Sequence, residues 1–152
     1  MNKKGHKKMA KLLIIYHSQS GNTEAMAKAV YEGALSSGAT ASLKKAAEAT
    51  SDDLLDCDAV AFGTPNYFSY MAGAMKDFFD RSLHAVRGKV DNKPYTAVSS
   101  HGGGGGQALD SIDRICNSLK LKKVFDGVSA TGKPSSEVLG ECEELGRKLA
   151  QL

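Results

Sequence analysis

The chain has 152 residues, a hydrophobic share of 41%, a charged share of 24% and a formal net charge of +3. That length fits one domain able to bury its own core, and no apolar run approaches the roughly 20 residues of a membrane span. The three cysteines, Cys57, Cys116 and Cys142, are odd in number and lack CxxC spacing, which argues against a disulfide framework or zinc site and for a reduced, cytoplasmic setting.

Residues 1–10 begin with a basic stretch carrying Lys3, Lys4, Lys7 and Lys8 and no interleaved aromatic. They read as a solvated, disordered tail rather than a nucleic-acid arm. A signal peptide would need a longer apolar segment than the one ending at Tyr16. KLLIIY, Lys11–Tyr16, predicts a buried strand. Thr23–Leu35 predicts a helix, with Met26, Val30 and Ala34 on its inner face and Gly38 ending it. Ala39–Lys44 is a second strand, and Ser51-Asp52-Asp53 opens a short capped helix.

DAVAFG, Asp58–Gly63, is the third strand, broken by Thr64-Pro65-Asn66. A helix follows over Ala72–Leu83, with Met75, Phe78 and Phe79 on its apolar face. Pro94–Ser100 is the fourth strand and runs into five consecutive glycines, Gly102–Gly106. Gln107–Leu119 is helical, Val124–Ala130 is the fifth strand, and Ser135 or Ser136 caps a last helix striped by Val138, Cys142, Leu145 and Leu149. Alternating strands and helices predict an α/β fold, a parallel sheet covered on both faces. Ligands of such sheets bind beyond the carboxyl ends of the strands. The loops after strands one, three and four are therefore the candidate site.

The first of these is His17-Ser18-Gln19-Ser20-Gly21-Asn22-Thr23. A helix N-terminus rich in small donors suits an anion, and the absence of Lys or Arg inside it suits a phosphate held by neutral groups. Ordinary capping by Ser20 or Thr23 explains the same residues. The P-loop pattern GxxxxGK[ST] is absent, and GxGxxG counted from Gly102 fails at Gln107. His101-Gly102-Gly103-Gly104 has no GxSxG partner. Carboxylates that a signalling receiver domain would need are missing from Tyr16-His17-Ser18 and Gly63-Thr64-Pro65.

Three stretches together carry a resemblance: SQSGNT, GTPNYFSYMAGAMKDFFDR and SSHGGGGGQ. SQSGNT resembles the phosphate loop of flavodoxins. The other two resemble the tryptophan-repressor-binding-protein (WrbA) type of flavodoxin-like NAD(P)H:quinone reductase. The likeness runs over nearly all of residues 11–152. It implies a flavodoxin-like three-layer α/β/α sandwich around a five-stranded parallel sheet of order 2-1-3-4-5.

It also implies FMN as cofactor. Ser18, Gln19, Ser20, Gly21, Asn22 and Thr23 would surround its phosphate. Pro65, Asn66, Tyr67 and Phe68 would lie along the isoalloxazine ring, and Ser100, His101, Gly102, Gly103, Gly104 and Gly105 around its other edge. His101 is a possible donor to flavin or substrate. The flavin would carry the chemistry, with no metal. The implied activity is ping-pong transfer from NAD(P)H to a quinone-like acceptor. The alternative is a flavodoxin-type electron carrier that docks to a redox protein. Carriers are usually acidic and often stack a Trp on the flavin; this chain has no Trp and is mildly basic. The long insertion that builds the WrbA tetramer has no room between Gln107 and Pro134, which leaves a homodimer open.

Overall fold

The computed structural model describes residues 10–152, so most of the predicted basic tail lies outside the described residues. Ala10, expected in that tail, already accepts a hydrogen bond from the Thr40 N–H at 2.9 Å. In chain order the elements are β1 (Lys11–Tyr16), α1 (Asn22–Ser36), β2 (Thr40–Lys45), α2 (Ser51–Asp56), β3 (Ala59–Pro65) and α3 (Gly73–Val86). Then come β4 (Pro94–His101), α4 (Gln107–Ser118), β5 (Lys122–Lys123), β6 (Val128–Thr131) and α5 (Ser136–Ala150). All strands pair in parallel in the order β2-β1-β3-β4-β5, with β6 also on β4.

The expected fifth strand is thus an edge position shared by two short segments. Lys122 and Lys123 pair with Pro94 and Tyr95, and Val128–Thr131 pairs with Val98–His101. Between them the ladder is interrupted, and Gly127 lies so close to β4 that an added Cβ would run into the Ala97 carbonyl. The Thr96 hydroxyl donates to Phe125 O at 3.0 Å across the gap.

Sheet alternation divides the core. Leu12, Ile14 and Tyr16 of β1 face α1 and α5, packing with Met26, Val30, Cys142 and Leu145. Leu13 and Ile15 face the other way, toward Met75, Phe78 and Ile112 of α3 and α4. Both faces are buried, so the strands read as continuous apolar runs instead of alternating ones. α1 and α5 touch backbone to backbone. A Cβ on Gly33 would collide with the Glu143 carbonyl, and one on Gly146 with the Val30 carbonyl.

Three local expectations shift. β3 runs on through Thr64 and Pro65, pairing with Ser99 and Ser100. Proline is tolerated there because the pairing with β1 ends at Gly63, so no ladder donor is required of Pro65 on that side. The short helix α2 is capped by Thr50 rather than from Ser51, in a reciprocal box with Asp53. Asp53 also holds Lys44 at 2.7 Å. Burial alone would push this carboxyl up, but the Lys44 and Thr50 contacts hold it below its ordinary value. The first helix starts at Asn22 after a left-handed Gly21, and no side chain caps it.

Chain order reverses between β1 and β3: the chain leaves β1 for β2 on one side and returns to β3 on the other. That switch opens a crevice beyond their carboxyl ends, at the loops after Tyr16 and Pro65.

Candidate functional site

Loop one is shaped by its own hydroxyls. The Gly21 N–H donates to Ser18 Oγ at 3.1 Å, and the Asn22 N–H reaches Ser20 Oγ at 3.5 Å. Gly21 has φ of 95°, a conformation that an L side chain would strain. With no side-chain cap on α1, the helix dipole and first-turn amides remain directed at the crevice. Thr23 does not cap the helix, and Ser20 reaches only its first amide, that of Asn22, at the long distance of 3.5 Å. Ser18 turns inward to brace the loop. Thr23 is buried, and its Oγ1 lies 2.8 Å from Ser100 Oγ.

The loop after β3 makes a tight turn. Tyr67 and Tyr70 exchange backbone hydrogen bonds of 2.9 and 3.1 Å, and Phe68 and Ser69 between them have φ of 56° and 60°. Left-handed backbone at both central positions is normally reserved for Gly, Asn or Asp. The turn places the Phe68 ring fully in solvent, with 102% relative exposure. Tyr67 instead faces inward, edge-on to His17 at 6.2 Å between ring centroids. Burial raises its phenol pKa, keeping it a protonated donor. Behind the turn, Thr64 Oγ1 accepts from the Ala72 N–H at 2.9 Å and Ser111 Oγ from the Met71 N–H at 3.0 Å. Met71 and Met75 are core residues.

The glycine loop closes the far side. Gly103 and Gly105 have φ of 133° and 103°. Their amides point to His101 Nδ1, at 3.1 and 3.5 Å. Asn66 Nδ2 donates to Gly105 O at 3.3 Å and to Gln107 Oε1 at 2.9 Å, while its Oδ1 is buried without a partner.

Gln19, Ser20, Asn22, Pro65, Asn66, Tyr67, Ser100, His101 and Gly102 line one open groove of about 280 Å³, together with Gly132. Ser18, Gly21 and Thr23 stand behind this wall, Phe68 projects beyond it, and Gly103, Gly104 and Gly105 form the loop above. Two participants had escaped the sequence reading. Gly132 sits at the carboxyl end of β6, and its N–H donates to His101 O at 2.7 Å. Gln107 follows the glycines and anchors Asn66. Both were within reach, since Gly132 obeys the same strand-end rule as the other loops.

No Lys or Arg lines the groove. An anion there would be held by hydroxyls, backbone amides and the helix dipole. The orphaned Asn66 Oδ1 asks for a donor such as a ring N–H. The glycine loop admits a flat group closely, because a Cβ on Gly102, Gly103 or Gly106 would meet nothing within 4 Å. A phosphate at one end, a flat heteroaromatic ring at the other and an imide-like edge are what these residues fit, and FMN has all three.

Comparison with known proteins agrees. The family model for flavodoxin matches residues 14–146. The chain is 36% identical to a flavodoxin of Aquifex aeolicus, over 94% of this chain and 86% of that one. It is also 36% identical to an NAD(P)H dehydrogenase (quinone) of Rhodopseudomonas palustris, over 80% of this chain and 72% of that protein. Among solved structures, an archaeal flavodoxin superposes with a TM-score of 0.83 at 27% identity, covering 93% and 96% of the two chains. A WrbA-like flavodoxin of Agrobacterium tumefaciens shares the fold at a TM-score of 0.79, with 23% identity over 93% and 96% of the chains. The strand order and its switch point are those for which flavodoxin is the standard example.

Proposed function

The chain belongs to the flavodoxin family, and from that premise we propose that it is an FMN-dependent oxidoreductase that passes reducing equivalents from NAD(P)H to a quinone-like acceptor. Bound FMN supplies the hydride and electron transfer. The chain's own residues bind and orient. Ser20, Asn22 and the first-turn amides of α1 take the phosphate. The orphaned Asn66 Oδ1 accepts from the polar edge of the ring. The inward Tyr67, braced edge-on by His17, sets the depth at which the ring sits.

The observation that carries the reductase reading is the bareness of the groove's outer wall. Gly102 on the wall and Gly103 in the loop above it present no side chain, and open space lies where one would be. A nicotinamide and then a quinone can reach the same face in turn, which is the ping-pong requirement. The relatives bearing the name NAD(P)H dehydrogenase (quinone) support it. The test is anaerobic mixing of the FMN-loaded protein with NADH or NADPH, then with a benzoquinone. Bleaching of the visible flavin band and its return with turnover are expected. A flavin that neither nucleotide bleaches would end the reductase reading.

A second reading is a flavodoxin-type electron carrier, favoured by the likeness to the Aquifex aeolicus flavodoxin over most of both chains. Such a protein would resist both nucleotides yet cycle with a flavoprotein reductase. Three buried free thiols suit a reducing, cytoplasmic setting. No helix among the described residues is long and apolar enough to cross a membrane.

A further inference from the structure

The glycine loop poses a physical problem. Five consecutive glycines lose more backbone freedom on ordering than any other five residues. In the structure the loop turns left-handed at Gly103 and Gly105, a path that glycine's freedom permits and does not enforce. Something other than its own side chains must hold it.

The imidazole of His101 is placed to do so. Its Nδ1 receives the Gly103 N–H at 3.1 Å and the Gly105 N–H at 3.5 Å, spanning three of the five glycines from within the turn they make. The His101 carbonyl is fixed in turn by the Gly132 N–H at 2.7 Å. From the other side, Asn66 Nδ2 holds Gly105 O at 3.3 Å. A nitrogen that accepts two N–H groups carries no proton, so the neutral ring's hydrogen must be on Nε2. His101 and Asn66 both line the groove, and Asn66 Oδ1 is buried without a partner.

We infer that His101 is the positioning residue of the glycine loop: its Nδ1 gathers the Gly103 and Gly105 amides, and the tautomer this imposes presents an Nε2–H donor to the cofactor's polar edge. The role goes beyond that of a loop histidine near a flavin, because the ring acts first on the chain itself. Its second half rests on the FMN reading; its first half does not.

The experiment uses FMN-free and FMN-loaded protein, ¹⁵N-labelled, in neutral to mildly alkaline buffer. Long-range ¹H–¹⁵N spectra of the FMN-free protein should show His101 with its hydrogen on Nε2. Amide exchange at Gly103 and Gly105 should be slow, and should speed up about tenfold or more in His101→Ala, since two hydrogen bonds of ordinary strength are lost. His101→Asn places Oδ1 where Nδ1 stands and should restore protection; His101→Gln, whose oxygen stands at the Nε2 position, should not. FMN affinity should fall about tenfold in the Ala variant and recover in part in the Asn variant, which lacks the Nε2 donor. A ring hydrogen on Nδ1 in the FMN-free wild type would overturn the inference with no variant needed. Equal rescue by Gln and Asn, or unchanged glycine exchange in the Ala variant, would overturn it too. If the wild type binds no FMN while the ring and exchange results hold, the cofactor reading fails and the positioning role stands.

Discussion

Thr23 Oγ1 and Ser100 Oγ lie 2.8 Å apart in a buried site, joining residues 77 positions apart in the chain. Thr23 lies in the first turn of α1 and Ser100 near the end of β4, so the bond clamps that helix to the strand that carries the glycine loop. This commits the Thr23 hydroxyl to structure, so in the proposed FMN reading the phosphate would fall to Ser20, Asn22 and the backbone. Thr23→Val keeps the shape and orphans Ser100, which should cost about 1–3 kcal/mol. Adding Ser100→Ala to it should cost less than the two single losses summed, because both polar partners are then gone. Urea unfolding of the four proteins measures the cycle; strict additivity would mean that the hydroxyls do not pair.

Ser20 is the exposed hydroxyl of the same loop and lines the groove. If it serves the phosphate, Ser20→Ala should weaken FMN by one ordinary hydrogen bond, about threefold to tenfold. Riboflavin, which has no phosphate, should bind both proteins equally. Flavin fluorescence quenching distinguishes the two ligands directly. Parallel losses for FMN and riboflavin would move the phosphate elsewhere.

Most of the architecture could be read from the residues. KLLIIY and DAVAFG are unmistakable because both faces of a parallel strand are buried, and the helices between them carry apolar stripes. The edge strand was harder: Val124–Ala130 reads as one segment, but Asp126 and Gly127 sit inside it and pairing with β4 is taken up again only from Val128. Thr50 and Ser51 are equally good caps on paper, and the reciprocal bond from Asp53 decides between them. In the site, residue types announced a cofactor loop, but side-chain direction was not legible. SQSGNT does not say that Thr23 turns inward to Ser100 or that Ser18 braces Gly21. Those choices depend on partners far along the chain.

Helix α5 docks on α1 through Gly146, whose added Cβ would strike the Val30 carbonyl and the Ala34 amide nitrogen. The obstacle is backbone and cannot rotate away. Gly146→Ala should therefore destabilise the protein by about 1–3 kcal/mol or more, despite alanine's better helix propensity. Gly140 lies on the same helix with open space at its Cβ, so Gly140→Ala should raise stability by up to about 1 kcal/mol. Paired thermal melts test the contrast, and a stabilised Gly146→Ala would contradict the close packing.

The three cysteines should be unreactive in the folded protein. Burial pushes the Cys57 thiol up to about 11 and the Cys142 thiol up to about 12, and it raises Cys116 as well. An acid whose folded pKa exceeds its unfolded value favours folding fully below the unfolded value, near 9. That contribution is lost as pH climbs from there through the folded pKa. Stability should thus fall above about pH 9 for this reason. A thiol reagent near pH 8 should label none of the three until urea is added; labelling of native protein at Cys57 would refute its burial.

Phe68 and Ser69 hold left-handed backbone that neither residue favours, and the turn's tip exposes an aromatic ring completely. A strain of order 1–3 kcal/mol per position persists only where the surroundings or function demand it. Ser69→Gly relieves strain without touching an aromatic side chain, so it should stabilise the fold by about 1 kcal/mol and leave FMN affinity unchanged. Phe68→Gly relieves similar strain but removes the ring beside the groove's mouth. It too should melt higher, yet bind FMN more weakly and, in the reductase reading, turn over quinone more slowly. If the ring stacks on a bound flavin it disfavours added negative charge there, and the reduction potential should then rise in the Phe68 variant. Melting curves, FMN titration and a potentiometric titration on both variants separate the effects. If Phe68→Gly gains stability and loses neither affinity nor turnover, the strained turn has no part in cofactor binding, and Tyr67 alone is left as the ring's aromatic neighbour.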